Sequence, residues 1–207
     1  MTRPHPAVVA LVGNPRPGSR TLGAATALAR TLAGHLGAGA DPAVVDLAAH
    51  APGLHAQPRP ADVDAALATV AGGDVLVVAT PVYKASFTGL LKSFLDLYGP
   101  DALDGVVAVP LVVSAAPAHA LVGEVHLRPV LVELGATVPT RTLSVLDADL
   151  ADLDPAVARW WERAERPLRR AVGAPLGAPG ASDAPTPAAQ SASQATRQAT
   201  SALEVVR

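Results

Sequence analysis

Apolar runs and helix-period segments alternate along the chain, the pattern of a parallel sheet flanked by helices. Ala7 to Val12 reads as a first strand, and residues 20 to 36 form a helix with Leu22, Ala25, Leu28, Leu32 and Leu36 on one face. Ala43 to Leu47 is a short second strand. The His-, Pro- and Ala-rich stretch from Ala48 to Pro60 reads as a surface loop before a helix at 62 to 71. Asp74 to Thr80 is a buried third strand, followed by a helix over 87 to 98. Val106 to Val113 forms a fourth strand, although Pro110 inside it cannot donate to a ladder and favours an edge or bulge. Residues 119 to 134 are helical with a kink at Pro129, and Ala136 to Val145 gives a fifth strand. Pro155 opens a last helix that reaches Val172.

Five strands and five helices in strict alternation predict an α/β, flavodoxin-like doubly wound parallel sheet of order 2-1-3-4-5, with helices on both faces. In that order the switch point lies between the first and third strands. The loops that follow them, Gly13 to Thr21 and Thr80 to Ser86, converge on one crevice. The domain is expected over residues 1–173; from 174 to 207 the Ala-Pro-Ser-Gln-Thr low complexity reads as a disordered tail, with a docking segment at Leu203 to Val206.

The first loop reads Gly13-Asn-Pro-Arg-Pro-Gly-Ser-Arg-Thr. Its glycines allow close backbone approach to an anion, Asn14, Ser19 and Thr21 supply short polar donors, and the following helix offers free N–H groups and a positive dipole end. Arg16 and Arg20 add cationic forks suited to phosphate. The loop lacks the P-loop lysine and the GxGxxG fingerprint, which argues against an ATPase or a standard dinucleotide site. Ser19 equally fits a plain helix cap with both arginines solvated.

Four of the six aromatic residues fall between Tyr83 and Tyr98. Phe87, Leu90, Leu91, Phe94, Leu95 and Tyr98 recur at helical spacing, so Phe94 and Tyr98 are assigned to core. Tyr83 precedes that stripe and is the aromatic expected to face a flat ligand. Trp160 and Trp161, about 100° apart on the last helix, are expected to pack one on the sheet and one near a subunit interface.

Composition then narrows the chemistry. With no cysteine among 207 residues, disulfides, thiolate catalysis and Cys-bound metals are excluded, and redox work needs a borrowed cofactor. A formal net charge of −2 carries no basic footprint for nucleic acid. The apolar runs are too short for a membrane span, and no secretory signal opens the chain, so a cytoplasmic protein is expected. His5, His35, His50 and His55 are expected at the surface and form no metal pair; His119, at a helix start, fits a structural hydrogen bond or a ligand contact. Asp147, Asp149, Asp152 and Asp154 lack EF-hand spacing and read as a solvated, helix-capping cluster. The crevice loops themselves hold no Asp or Glu, so no general base is expected there.

Two segments carry a family resemblance. Thr80-Pro-Val-Tyr-Lys-Ala-Ser-Phe-Thr-Gly-Leu-Leu-Lys resembles the T-P-V-Y-x-x-S-x-S-G-x-L-K segment of the NADPH-dependent FMN reductases, nearest the sulfonate-associated flavin reductases of two-component monooxygenase systems. Ser114-Ala-Ala-Pro-Ala-His119 with Leu127-Arg-Pro-Val-Leu131 is similar to that family's G-G-x-x-A-H and L-x-P-V-L stretch. The resemblance covers residues 7 to 172. It implies that Asn14, Arg16, Ser19, Arg20 and Thr21 hold the FMN phosphate and that Pro81, Val82, Tyr83 and Lys84 line the isoalloxazine. Ser114, Ala115, Ala116 and Pro117 would border the pyrimidine edge, with His119 beyond them.

Two positions depart from the family pattern: Ala115-Ala116 replaces Gly-Gly, and Val125-His126 occupies the place where the subgroup inserts an aromatic or histidine linked to tetramer packing and loose flavin binding. The implied activity is hydride transfer from nicotinamide C4 of NADPH or NADH to flavin N5, with no catalytic side chain and no metal. Reduced FMN would feed a partner monooxygenase, and the chain would form homodimers or homotetramers. The alternatives are an NAD(P)H:quinone or azo reductase with bound FMN, a non-enzymatic flavodoxin-like electron carrier, and an interaction protein that has lost flavin.

Overall fold

A computed structural model describes residues 5–173; the expected tail at 174–207 lies outside them. Five parallel strands, β1 (Val8–Val12), β2 (Ala43–Asp46), β3 (Val75–Pro81), β4 (Val107–Ser114) and β5 (Leu143–Leu146), take the order β2-β1-β3-β4-β5 expected from the alternation. The inner strands β1, β3 and β4 are buried along their whole length, which is why they read as unbroken apolar runs. Alternate residues feed two cores. Leu76 and Val78 join Leu11, Leu67, Phe94 and Leu131 on one face, while Val75, Val77 and Ala79 join Leu28, Leu32, Val157 and Leu168 on the other.

The helices are α1 (Arg20–Leu36), α2 (Leu47–His50), α3 (Ala61–Ala71), α4 (Gly89–Leu95), α5 (Arg128–Glu133) and α6 (Asp154–Ala171). Helix α1 matches its expected span, with Ser19 at its N-cap and Gly37, at φ 70°, ending it. Four other spans need correction. The surface loop at Ala48 to Pro60 contains α2 and a short 3-10 turn, because the Asp46 carboxylate accepts the Ala48 N–H and starts a turn that buries Leu47 and Leu54.

Helix 87 to 98 shrinks to α4. Thr88 caps its start, and beyond Leu95 the chain tightens into three-residue turns through Leu97 N–H to Phe94 and Tyr98 N–H to Leu95. Phe94 and Tyr98 still pack as core: their rings meet edge to face at 5.8 Å, and the Tyr98 hydroxyl donates to the Leu67 carbonyl over 2.9 Å. Burial pushes the Tyr98 phenol far above its ordinary range.

The segment 119 to 134 is helical from Val122 to Glu133 but not α-helical throughout. A 3-10 turn at Pro117–His119 precedes it, Gly123–Leu127 is π-helical, and Pro129 is the second residue of α5, directly after that wider stretch.

Pro110 does not mark an edge or a bulge. It sits in β4, between β3 and β5, paired with Val78. The N–H groups of alternate β4 residues point to opposite sides: Val107 donates toward β3 and Ala108 toward the β5 side, so position 110 faces the β5 side. Pairing on that side stops after the Val107↔Thr137 bridge and resumes at Leu111↔Leu143. Pro110 falls in the gap, and the expected fifth strand is correspondingly cut to Leu143–Leu146.

The intervening backbone serves Arg128 instead. Its Nη1 donates to the Val138 carbonyl at 2.6 Å, its Nη2 to the Thr140 carbonyl, and its Nε to Glu124 Oε2 at 2.6 Å. Thr142 N–H closes the network on Glu124 Oε1 at 2.6 Å. Burial pushes the Glu124 carboxyl up, but hydrogen bonds from Arg128 and Thr142, with the Arg128 charge, outweigh it and hold the group below the ordinary glutamate value.

The two tryptophans both pack within the chain. Trp161 stacks on His35 of α1 with ring centroids 4.2 Å apart, so His35 is a packing residue and not merely a solvated one. Trp160 Nε1 donates to the Arg141 carbonyl over 2.8 Å.

Candidate functional site

The carboxyl ends of β1 and β3 open onto a cleft of about 360 Å³, at the switch point where doubly wound sheets hold ligands. A larger hollow of about 790 Å³ lies elsewhere, between α6 and the outer edge of the sheet at β5, lined by Arg141, Arg159 and Trp160 among others. The switch-point cleft is the candidate site, because both peculiar loops line it.

A small hydrogen-bond lattice fixes the two loops to each other. Gly13 N–H donates to the Ala79 carbonyl over 2.7 Å, and Thr88 Oγ1 donates back to the Gly13 carbonyl. Thr88 N–H donates to Thr80 Oγ1 at 3.2 Å, while Thr88 Oγ1 accepts the Leu91 N–H at 3.1 Å and so starts α4. Gly13 is glycine for a packing reason: a Cβ there would meet Leu91 Cβ at 2.6 Å. This contact with α4 requires glycine here independently of any anion.

Beyond Gly13 the loop is shaped by Asn14, which is buried. Its Oδ1 accepts the Arg16 N–H at 3.0 Å, and its Nδ2 donates to Thr21 Oγ1 at 3.1 Å. Gly18 turns left-handed at φ 62°, and Ser19 Oγ then accepts the Leu22 N–H at 3.2 Å. Ser19 is thus a helix cap. Among the described residues no hydrogen bond takes up the N–H groups of Gly18, Arg20 or Thr21. These donors open α1, where the helix dipole favours an anion. The Arg16 guanidinium likewise has no ion pair or side-chain hydrogen bond among the described residues.

Arg20 differs. Its Nη2 is paired with Asp147 Oδ2, and its Nη1 donates to the Asp147 carbonyl over 3.3 Å. Asp147 itself lines the cleft. The two crevice loops hold no Asp or Glu, but Asp147 brings a carboxylate to the cleft from outside them, and the expectation that it is simply solvated is corrected. Its position directly after β5 carried a signal, since all loops following parallel strands share one end of the sheet.

The second wall is built by β3 and its turn. Val82 N–H donates to the Val113 carbonyl over 2.9 Å, continuing the ladder one residue past β3. Tyr83 and Ser86 then exchange backbone hydrogen bonds of 2.9 and 3.1 Å around Lys84 and Ala85, both left-handed at φ 51° and 61°. Positive φ at both central residues marks a type I′ turn, here made without glycine. The turn presents Tyr83, 41 % exposed, to the cleft and is tethered by Ser86 Oγ to His126 Nδ1 at 3.3 Å.

The structure brings together Asn14, Arg16, Ser19, Arg20, Thr21, Pro81, Val82, Tyr83, Ser114 and Ala115 around one cleft, and adds Pro17, Gly18, Val113 and Asp147. It does not bring in Lys84, whose exposed backbone forms the turn's apex, nor Ala116, Pro117 and His119, which follow the cleft wall in an extended residue and a 3-10 turn. Buried Ser114 donates to the Ala116 carbonyl over 3.1 Å and fixes that departure from the wall.

A parallel 2-1-3-4-5 sheet with a helix start and an aromatic turn at its switch point defines a flavodoxin-like protein. The model of the NADPH-dependent FMN reductase family matches residues 6–149. The chain is 34 % identical over 174 residues to the NADH-dependent FMN reductase SfnF of Pseudomonas fluorescens, covering 80 % of this chain and 91 % of the relative. It is 36 % identical over 107 residues to the FMN reductase (NADPH) of Escherichia coli, covering 45 % of this chain and 56 % of the relative. Among solved structures, an apo NADH:FMN oxidoreductase, EMOB, superposes with a TM-score of 0.57 at 30 % identity, covering 83 % of this chain and 97 % of that one. The chain belongs to the NADPH-dependent FMN reductase family, oxidoreductases that work with FMN and nicotinamide nucleotides.

Proposed function

We propose that this chain reduces FMN with NAD(P)H in the cleft between the Gly13 to Thr21 loop and the Tyr83 turn. One observation supports the flavin's placement: Gly18, Arg20 and Thr21, whose N–H groups are unengaged among the described residues, line one cleft with Arg16 and Tyr83. That donor set suits a phosphate monoester, and the half-exposed phenol suits a flat ring. The flavin supplies the hydride acceptor. The chain's residues bind and orient: the α1 amides and Arg16 hold the phosphate, while Pro81, Val82 and Tyr83 fix the ring plane so that a nicotinamide meets it face on.

Loosely held FMN would leave reduced and serve a partner monooxygenase. The exposed apolar side chains Leu121, just before the π-helical segment, Val125 within it and Val132 in α5 supply a surface for a homodimer or homotetramer. No helix among the described residues is long and apolar enough to cross a membrane.

The assay combines purified protein with NADH or NADPH and either excess FMN, or trace FMN with menadione. Turnover with free FMN supports the reductase, whereas turnover confined to the quinone favours a bound-flavin quinone reductase. No nicotinamide oxidation in either arm refutes both. Arg16→Ala should weaken FMN by about tenfold and leave riboflavin unchanged, since only FMN carries the phosphate; equal losses for both flavins would reject the phosphate placement.

A further inference from the structure

We propose that Asp147 sets the affinity of the cleft for phosphate-bearing flavin, holding it low by competing for Arg20. The inference rests on the reading of the cleft as the FMN site and goes beyond it by assigning a residue that controls how readily the flavin exchanges.

The cleft contains two cations in unequal states. Arg16 is unpaired among the described residues, whereas Arg20 is tied through both terminal nitrogens to the carboxylate and carbonyl of Asp147. A phosphate entering at the start of α1 therefore meets the free amides, one available guanidinium and one carboxylate that already occupies the other. Either Arg20 leaves Asp147 to reach the phosphate, or it stays and the dianion settles near an anion. Both routes weaken binding of a flavin that carries a phosphate. Neither touches riboflavin, which ends in a hydroxyl. The Arg20 and Asp147 side chains are 68 % and 38 % exposed, so water and salt screen the competition, and its size is about three- to tenfold in affinity rather than many orders.

Three features make the pair a competitor rather than a remote surface bridge. Asp147 and Arg20 both line the cleft, the pair joins the start of α1 to the residue directly after β5, and Arg20 is the first residue of α1, whose amide belongs to the same donor set. The arrangement fits a flavin used as an exchangeable substrate, because a carboxylate that reclaims its arginine lowers the cost of phosphate departure.

The test titrates FMN and riboflavin into the wild-type protein and Asp147→Asn, following flavin fluorescence at low and moderate salt. Asparagine keeps the size and the backbone carbonyl that Arg20 also uses. The expected result is FMN binding tightened about three- to tenfold in the variant, riboflavin binding unchanged, and a difference that shrinks with added salt. FMN affinity that is unchanged or weakened overturns the proposal, the second outcome meaning that Asp147 orients Arg20 toward the phosphate. An equal gain for riboflavin also overturns it. A wild-type protein that binds FMN no better than riboflavin refutes the placement of phosphate in this cleft, a separate result read before the variant is compared.

Discussion

At the scale of single residues, the cleft is governed by contacts that residue type alone does not announce. Gly13 looks like a phosphate-loop glycine, yet what excludes a side chain there is Leu91 of α4. Gly13→Ala should therefore cost about 1–3 kcal/mol of stability by overpacking. It should also weaken flavin binding, because the Gly13 carbonyl and N–H join both loops. Denaturant unfolding with a flavin titration checks this, and an unperturbed variant would show that Leu91 moves aside freely. The residues that sequence places beside the cleft and that line it, Asn14, Ser19, Thr21 and Tyr83, are those whose local geometry is set within a few positions by turn and cap chemistry. Asp147 escaped because its partner, Arg20, lies 127 positions away and acidic clusters before helices have a commonplace explanation in capping. Lys84 belongs to the matching motif, and its left-handed backbone shapes the turn beside the cleft, whose lining does not include it.

Among the elements, long periodic segments were legible and short ones were not. Helix α1 and the buried strands follow their hydrophobic period closely, since each fills a core face along its length. The stretch from 117 to 142 was not legible, because its course depends on Arg128 collecting carbonyls from Val138 and Thr140. The Glu124 carboxylate anchors that network, and its acidity gives a directional test. A carboxyl whose folded-state value lies below its unfolded one binds fewer protons when folded. The stability it contributes is present above about pH 4.5 and is lost as pH falls through the lower folded value. Glu124→Gln should destabilise the protein at neutral pH by about 1–3 kcal/mol, through a partly buried arginine left without its counter-charge. It should also flatten part of the stability loss on acidification. Unfolding curves at pH 7 and near pH 4 for both proteins decide this, and parallel losses would remove Glu124 as the acid-sensitive group.

Over the molecule as a whole, strand order was recoverable because alternation of strand and helix leaves few parallel topologies, and the switch point then located the cleft before any side chain was placed. What lies between copies was not recoverable, since an apolar side chain reads alike whether it fills a core or a contact between chains. Leu121, Val125 and Val132 are 67, 61 and 56 % exposed, more than isolated surface leucines and valines require. Leu121→Asp combined with Val125→Asp should lower the assembly state measured by light scattering at micromolar concentration while leaving the fold intact by circular dichroism; an unaltered mass would dismiss this surface as the contact. Pro110 bears on the same sheet in another way. A substitution chosen on strand preference, valine for instance, would supply an amide aimed at a lane whose carbonyls Arg128 has already claimed, so the residue that looks like a flaw in β4 is the one whose repair would introduce a fault.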